Sequence, residues 1–200
     1  SPTRGWLVSN FSSGVYATTD GGDTWTRQYG GSIQGLLDVQ FLDDGLNGWA
    51  VGWDGTILHT TDGGTTWFQK FIDEDGIDHE QTLITSVHPI DASTAVVTRV
   101  VHEDTNKMIL RTTDGGNSWS GRDTKNADRL DDVFFADSKN GWAVGSDDVV
   151  LRTANGGKSW ARYDVITDLK FLNGVELTSA DNGLVVGGNQ IWQLAPLPGQ

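Results

Sequence analysis

Thr60-Thr61-Asp62-Gly63-Gly64-Thr65-Thr66-Trp67 decides the fold, because the chain repeats it. The other copies are Thr18 to Trp25 (TTDGGDTW), Thr112 to Trp119 (TTDGGNSW) and Thr153 to Trp160 (TANGGKSW), at intervals of 42, 52 and 41 residues. A recurrence every 40-odd residues marks a repeat architecture, and it governs how every other segment is read. Within the motif, the carboxylate of Asp20, Asp62 or Asp114 can accept backbone N–H groups of its own turn. Gly22, Gly64, Gly116 and Gly157 suit a residue with positive φ. The Thr or Ser two places later offers a hydroxyl to the same turn. Trp25, Trp67, Trp119 and Trp160 then start a strand and pack beneath it, each worth roughly 3–5 kcal/mol if buried. Asn155 keeps an acceptor and drops the charge, which a turn tolerates and a catalytic acid does not. These are hairpin turns, not active-site acids.

A second signature lies upstream of each turn. Gly5-Trp6-Leu7-Val8, Gly48-Trp49-Ala50-Val51-Gly52, Gly141-Trp142-Ala143-Val144-Gly145 and Gly183-Leu184-Val185-Val186-Gly187 align, with Thr94-Ala95-Val96-Val97 as a degraded copy. Anchors at 6, 49, 95, 142 and 184 define five units. Short apolar runs precede most of them: Leu37 to Phe41, Ile84 to Val87, Val133 to Phe135 and Val175 to Leu177. A full unit therefore reads as four short antiparallel strands, which is a β-propeller blade. The expectation is an all-β propeller of five blades, the first lacking its first strand and the last its fourth. It forms one domain over residues 1–200, or a slice of a larger propeller. The tail Leu194-Ala195-Pro196-Leu197-Pro198 is suited to covering an edge rather than to a central strand.

Composition narrows the function classes. Fourteen Lys and Arg stand against 27 Asp and Glu, a net charge of −13, which argues against nucleic acid and anionic membrane as partners. There is no cysteine, hence no disulfide frame, thiol catalysis or Cys-type zinc site. No stretch of 18 apolar residues exists, so no segment reads as membrane-inserted. Ser1-Pro2-Thr3 reads as a trimmed start, and the acidic balance fits an extracytoplasmic setting (periplasmic, lumenal, or a virion or cell surface).

The turn motif matches the Asp box of sialidase-type repeats. Joined to N-G-W-A-V-G upstream, best at residues 47–67 and 140–160, it resembles the photosystem II stability/assembly factor family of propellers. That resemblance implies a non-enzymatic assembly factor of a lumenal or periplasmic compartment. Such a factor binds a precursor reaction-centre protein through an arginine-rich patch.

Topology places the candidate site. The turns joining strands one to two and three to four share one face of a propeller, so the Asp boxes mark that face. The opposite face carries the sequence differences, and long loops on a rigid scaffold commonly carry function. The link 71–80 and the hairpin 101–107 are both enlarged in the third unit. They gather Asp73, Glu74, Asp75, Asp78, His79, Glu80, His102, Glu103 and Asp104. The functional reading is a cation site or a docking surface for a basic partner; the plain reading is a solvated acidic loop. The spacing is not EF-hand-like, and a His-based metal site is disfavoured, so no metal or cofactor is expected. Phe11 and Trp53 lie in two–three turns of the same face, where an exposed ring could stack on a sugar or a peptide side chain. Arg111 and Arg152 hold one place in strand three of successive units, with His59 and Tyr16 in register. They form either a carboxylate-binding stripe or ordinary cross-strand pairs.

Catalysis is disfavoured. The tyrosines fall in outer strands or links, and the inner strands carry Asp38, His88, Asp132 and Glu176 without arginine. Asp38 and Asp132 repeat in register, which suits backbone capping. Two carboxyls facing across an open cleft roughly 5–10 Å wide would point to glycoside hydrolysis instead. The expectation is a non-catalytic module holding a protein or peptide partner on the face opposite the Asp boxes. A glycan-binding or glycan-cleaving propeller and a virion or cell-surface adhesion module are the alternatives. The oligomeric state is open.

Overall fold

The computed structural model describes residues 3–11, 14–30, 35–70, 82–100, 107–124, 127, 129–163, 171–180 and 182–194. Every regular element among them is a strand, and the strands form five antiparallel sheets met in chain order. Blade one is β1 (Gly5–Ser9), β2 (Gly14–Thr18) and β3 (Thr26–Gly30). Blade two is β4 (Leu36–Phe41), β5 (Gly48–Gly52), β6 (Ile57–Thr60) and β7 (Phe68–Lys70). Blade three is β8 (Leu83–Pro89), β9 (Ala95–Val100), β10 (Ile109–Thr112) and β11 (Ser120–Arg122). Blade four is β12 (Leu130–Phe135), β13 (Gly141–Gly145), β14 (Val150–Thr153) and β15 (Ala161–Arg162). Blade five is β16 (Leu172–Ser179), β17 (Asn182–Gly187) and β18 (Gln190–Leu194). This is the propeller with incomplete first and last blades that the repeats imply. The tail, apart from Leu194, lies outside the described residues.

Among the described residues the core is divided rather than single. Buried side chains gather in four clusters, each between two successive blades. A twisted sheet with two apolar faces is stable only between neighbours, so the faces decide the stacking. Strand register shows which side chain looks which way. Trp49 pairs with His59, Val96 with Arg111 and Trp142 with Arg152. These second-strand residues face the next blade: Trp49 packs with Trp119, and Trp142 with Val175 and Val185. The anchor of the third unit is therefore Val96, one place beyond the 95 expected, because Ala95 pairs with Thr112 as Gly48 does with Thr60. Trp6 pairs with Ala17, which also takes Tyr16 out of register with His59.

The motif tryptophans face the preceding blade. Trp67, Trp119 and Trp160 are 9%, 5% and 4% exposed, whereas Trp25 is 41% exposed. The expectation of four buried indoles fails at Trp25 because, among the described residues, no sheet packs on that face of blade one. The other end mirrors it: Leu184, Val186 and Ile191, which hold the places of Trp49, Val51 and Ile57, are 47%, 40% and 69% exposed.

Candidate functional site

The Asp boxes are built from side chains that bond inward. In blade two the Thr60 hydroxyl donates to Asp62 (2.9 Å) and accepts the Gly64 N–H (2.9 Å), while the Thr66 N–H donates to Asp62 (2.9 Å). The same pattern holds at Thr18/Asp20, Thr112/Asp114 and Thr153/Asn155. The second glycine of each box has φ between 73° and 100°. Hydroxyl and amide donors stabilise the charged carboxylate. Ser118 and its N–H hold Asp114 at about 2, and Asp20 and Asp62 also lie below the usual aspartate value, held by Thr18 and Thr66 first. The leading threonine of each motif, buried in all four copies, is thus as integral to the turn as the aspartate.

Each Asp box is tied to the one–two turn of its own blade: Gly63 N–H donates to Leu46 (2.9 Å), Gly115 N–H to Ser93 (2.9 Å) and Gly156 N–H to Lys139 (2.9 Å). The two sets of turns therefore share a face. Contacts between blades also reach these boxes. Arg4 and Gln28 of blade one donate to the Gly63 carbonyl at 3.2 Å each, and Arg111 Nε donates to the Gly156 carbonyl at 2.7 Å. Arg111 thereby clamps blade three to blade four. Arg152, one blade on, lies 5.5 Å from the Trp142 ring centroid.

Of the residues expected on the opposite face, Asp73, Glu74, Asp75, Asp78, His79, Glu80, His102, Glu103 and Asp104 lie outside the described residues. Phe11 is fully exposed in the turn after β1, and Trp53 is 45% exposed in the turn after β5. The Trp53 backbone is fixed, its N–H bonded to Gly35 at 3.0 Å. Among the described residues no group of three or more His, Asp or Glu is placed to hold a metal ion.

Near the axis the inner strands are stitched by carboxylates. Asp38 of blade two accepts the Val87 N–H (2.9 Å) and the Ser86 hydroxyl (3.0 Å) of blade three. Asp132 of blade four accepts the same hydroxyl (2.8 Å), its neighbour Val133 N–H (2.8 Å) and the Val175 N–H of blade five (2.8 Å). Burial pushes both carboxyls above the usual aspartate value. Their lone pairs are committed to capping the next blade, and they meet at one serine rather than across an open cleft.

Two features escaped the sequence reading. Arg99 is fully buried at the end of β9, its Nε bonded to the Lys107 carbonyl at 3.0 Å. In blades two, four and five this place is Gly52, Gly145 or Gly187, where a Cβ would collide with the carbonyl of the entering link. The third unit pairs its enlarged link with an arginine at that crossing, and the loss of the glycine was the available signal. The other feature is a cavity of about 310 Å³ at the ends of β4, β8 and β12, lined by Gln40, His88, Phe134 and their neighbours. No motif announces it, because Gln40, His88 and Phe134, which hold one place in successive blades, differ from blade to blade.

Sheets stacked through their apolar faces, with Asp-box turns and with axial carboxylates used as caps, define an Asp-box β-propeller scaffold. A family model described as photosynthesis system II assembly factor YCF48 matches residues 31–121 and 99–174. The chain belongs to this family. Among solved structures, it is similar to YCF48 from Cyanidioschyzon merolae, at 18% identity and TM-score 0.70, over 98% of this chain and 66% of that one. It is likewise similar to the WD40 β-propeller domain of Doa1, at 14% identity and TM-score 0.70, over 99% and 63%. A GH74 enzyme from Niastella koreensis aligns at 16% identity and TM-score 0.70, over 96% of this chain and 34% of the enzyme. At these identities the likenesses establish the propeller fold. The chain spans just under two-thirds of the length of the algal YCF48. No curated protein matches it.

Proposed function

We propose that the chain is a non-catalytic binding scaffold whose partner is a protein or peptide, held on the face opposite the Asp boxes. The observation that carries this reading is membership of an assembly-factor family. Engagement of Asp38 and Asp132 as backbone caps speaks against two-carboxylate glycoside chemistry. The binding surface combines Phe11 and Trp53 with the acidic segments 73–80 and 102–104, and its charge favours a basic partner. An extracytoplasmic site of action belongs to the same reading. So does the proposal that this arc is a slice of a larger propeller, supported by the two exposed end faces.

The test is capture of partners from a soluble extracytoplasmic extract by the immobilised protein. Wild type is compared with Phe11→Ala/Trp53→Ala and with a variant carrying Asn or Gln at Asp73, Glu74, Asp75, Asp78, Glu80, Glu103 and Asp104. Loss of a partner by both variants supports the reading, and unchanged capture by both refutes the assignment to this face. Hydrolysis in a general glycosidase screen would overturn the non-catalytic reading.

A further inference from the structure

On the Asp-box face, the first strands of blades two, three and four end at Phe41, Pro89 and Phe135. The cavity of about 310 Å³ lies there. Its walls are aromatic and braced from behind. Phe41 stacks on Trp6 at 3.6 Å and meets Trp67 edge-on at 5.7 Å, and Phe135 meets Trp160 edge-on at 5.8 Å. The rings are held by neighbouring sheets and do not close the space by collapse.

The polar groups in this wall are Gln40, Asp43 and His88, and among the described residues no lysine or arginine lines it. His88 contacts the rings of Phe134 and Phe135, at 4.9 and 5.5 Å between centroids. Burial holds its pKa at about 4, so at neutral pH it is an uncharged imidazole with one acceptor nitrogen. The surrounding turns carry Asp44, Asp91 and Asp137, each kept ionised by hydrogen bonds within its own turn, and with Lys139 beside Asp137 and Arg4 beside Gly45 the rim is negative on balance. A braced aromatic wall, three acceptors and a negative rim are complementary to one ligand class: a flat or extended cation on an apolar stem.

We infer that this cavity is a second binding site, on the Asp-box face, that accepts a cationic side chain, arginine by preference, from a protein partner. The guanidinium stacks on Phe134 and donates to the Asp43 carboxylate and the Gln40 carbonyl, while its methylenes lie along Phe41 and Phe135. The site is independent of the surface proposed on the opposite face and stands or falls separately.

The experiment is an NMR titration of the whole chain at neutral pH with acetyl-Gly-Arg-Gly-amide, read at the His88 imidazole and Phe134 ring resonances. Parallel titrations use the norleucine and glutamate peptides. The arginine peptide should give saturable shifts at both residues, and the norleucine peptide should bind about fivefold more weakly. The glutamate peptide should give none. Asp43→Asn, an exposed rim substitution that spares the fold, should weaken the arginine peptide by about fivefold and leave the norleucine peptide unchanged. Absence of shifts at His88 and Phe134 overturns the inference. So does equal binding of norleucine and arginine, a preference for glutamate, or indifference of arginine binding to Asp43→Asn.

Discussion

Replacing Asp132 tests the axial stitching most directly. Its carboxylate accepts Ser86 Oγ–H, Val133 N–H and Val175 N–H, each at 2.8 Å, and so couples blades three, four and five. In Asp132→Ala the Ser86 hydroxyl keeps Asp38 as acceptor, but the N–H of buried Val175 loses its partner. An orphaned buried donor costs about 1–3 kcal/mol, partly offset by removing one of two neighbouring buried charges. The expected net loss is about 2 kcal/mol, or roughly 4–8 °C in Tm for a chain of this size. Asp132→Asn keeps an acceptor oxygen for Val175 and removes the charge, so it should stay near wild type at low pH. The two differ in their pH dependence. A buried aspartate whose folded pKa is raised above 3.8 contributes stability that is present below that value and lost as pH rises through the folded pKa. His59 and His88, both lowered to about 4, act oppositely: they stabilise above 6.5, and the gain is lost as pH falls towards 4. The wild-type curve mixes these contributions, so the informative quantity is the variant-minus-wild-type difference from urea unfolding between about pH 4 and 8. That difference should move in favour of Asp132→Asn as pH rises. A flat difference, or an alanine variant as stable as wild type, refutes the account of Asp132 as a buried, charged cap.

Other substitutions read other parts of the frame. Trp119→Ala removes an indole that is 5% exposed and packed edge-on against Trp49, and should cost about 3–5 kcal/mol by urea unfolding. Trp25→Ala, at an equivalent but half-open place, should cost less than half of that. Thr60→Val leaves the Gly64 N–H without its acceptor in a fully buried site, and should lower stability by about 1–3 kcal/mol. Gly145→Ala forces a methyl against the Arg129 carbonyl and should destabilise, whereas a neutral outcome would show that the entering link yields easily. In acid, Asp114 contributes stability that is present above 3.8 and lost as pH falls towards about 2; Asp114→Asn should flatten the acid unfolding curve in that window.

Much of this frame was legible in the chain because a repeat states the same instruction several times. The turn motif fixed the hairpins, and the GWAVG-like segment fixed the strand before each of them. Together with the short apolar runs ahead of them, those two signatures account for most strands of the five sheets. The degenerate third unit, without a Gly-Trp pair, suggests an anchor at 95 where the register places 96; in the first unit Ala17, not Tyr16, is the residue in register with His59. Burial of the motif tryptophans depends on having a neighbour, which local sequence does not encode, and Trp25 shows the difference. Arg111 illustrates the same gap. Its place in strand three was readable, but its bond to Gly156 arises only when the next blade swings into reach. The cavity was invisible for the converse reason, since Gln40, His88 and Phe134 are what distinguishes the blades from one another.

The uncovered indole at Trp25 and the bare Leu184, Val186 and Ile191 have a consequence for how the molecule comes apart. Among the described residues, blade three leans on a partner at each side, and blades one and five lean on one. In such a row, local opening is easiest at the extremities, and amide exchange should slow towards β8 and β9. The chain would then melt as a frayed ribbon does, with its midpoint last to let go.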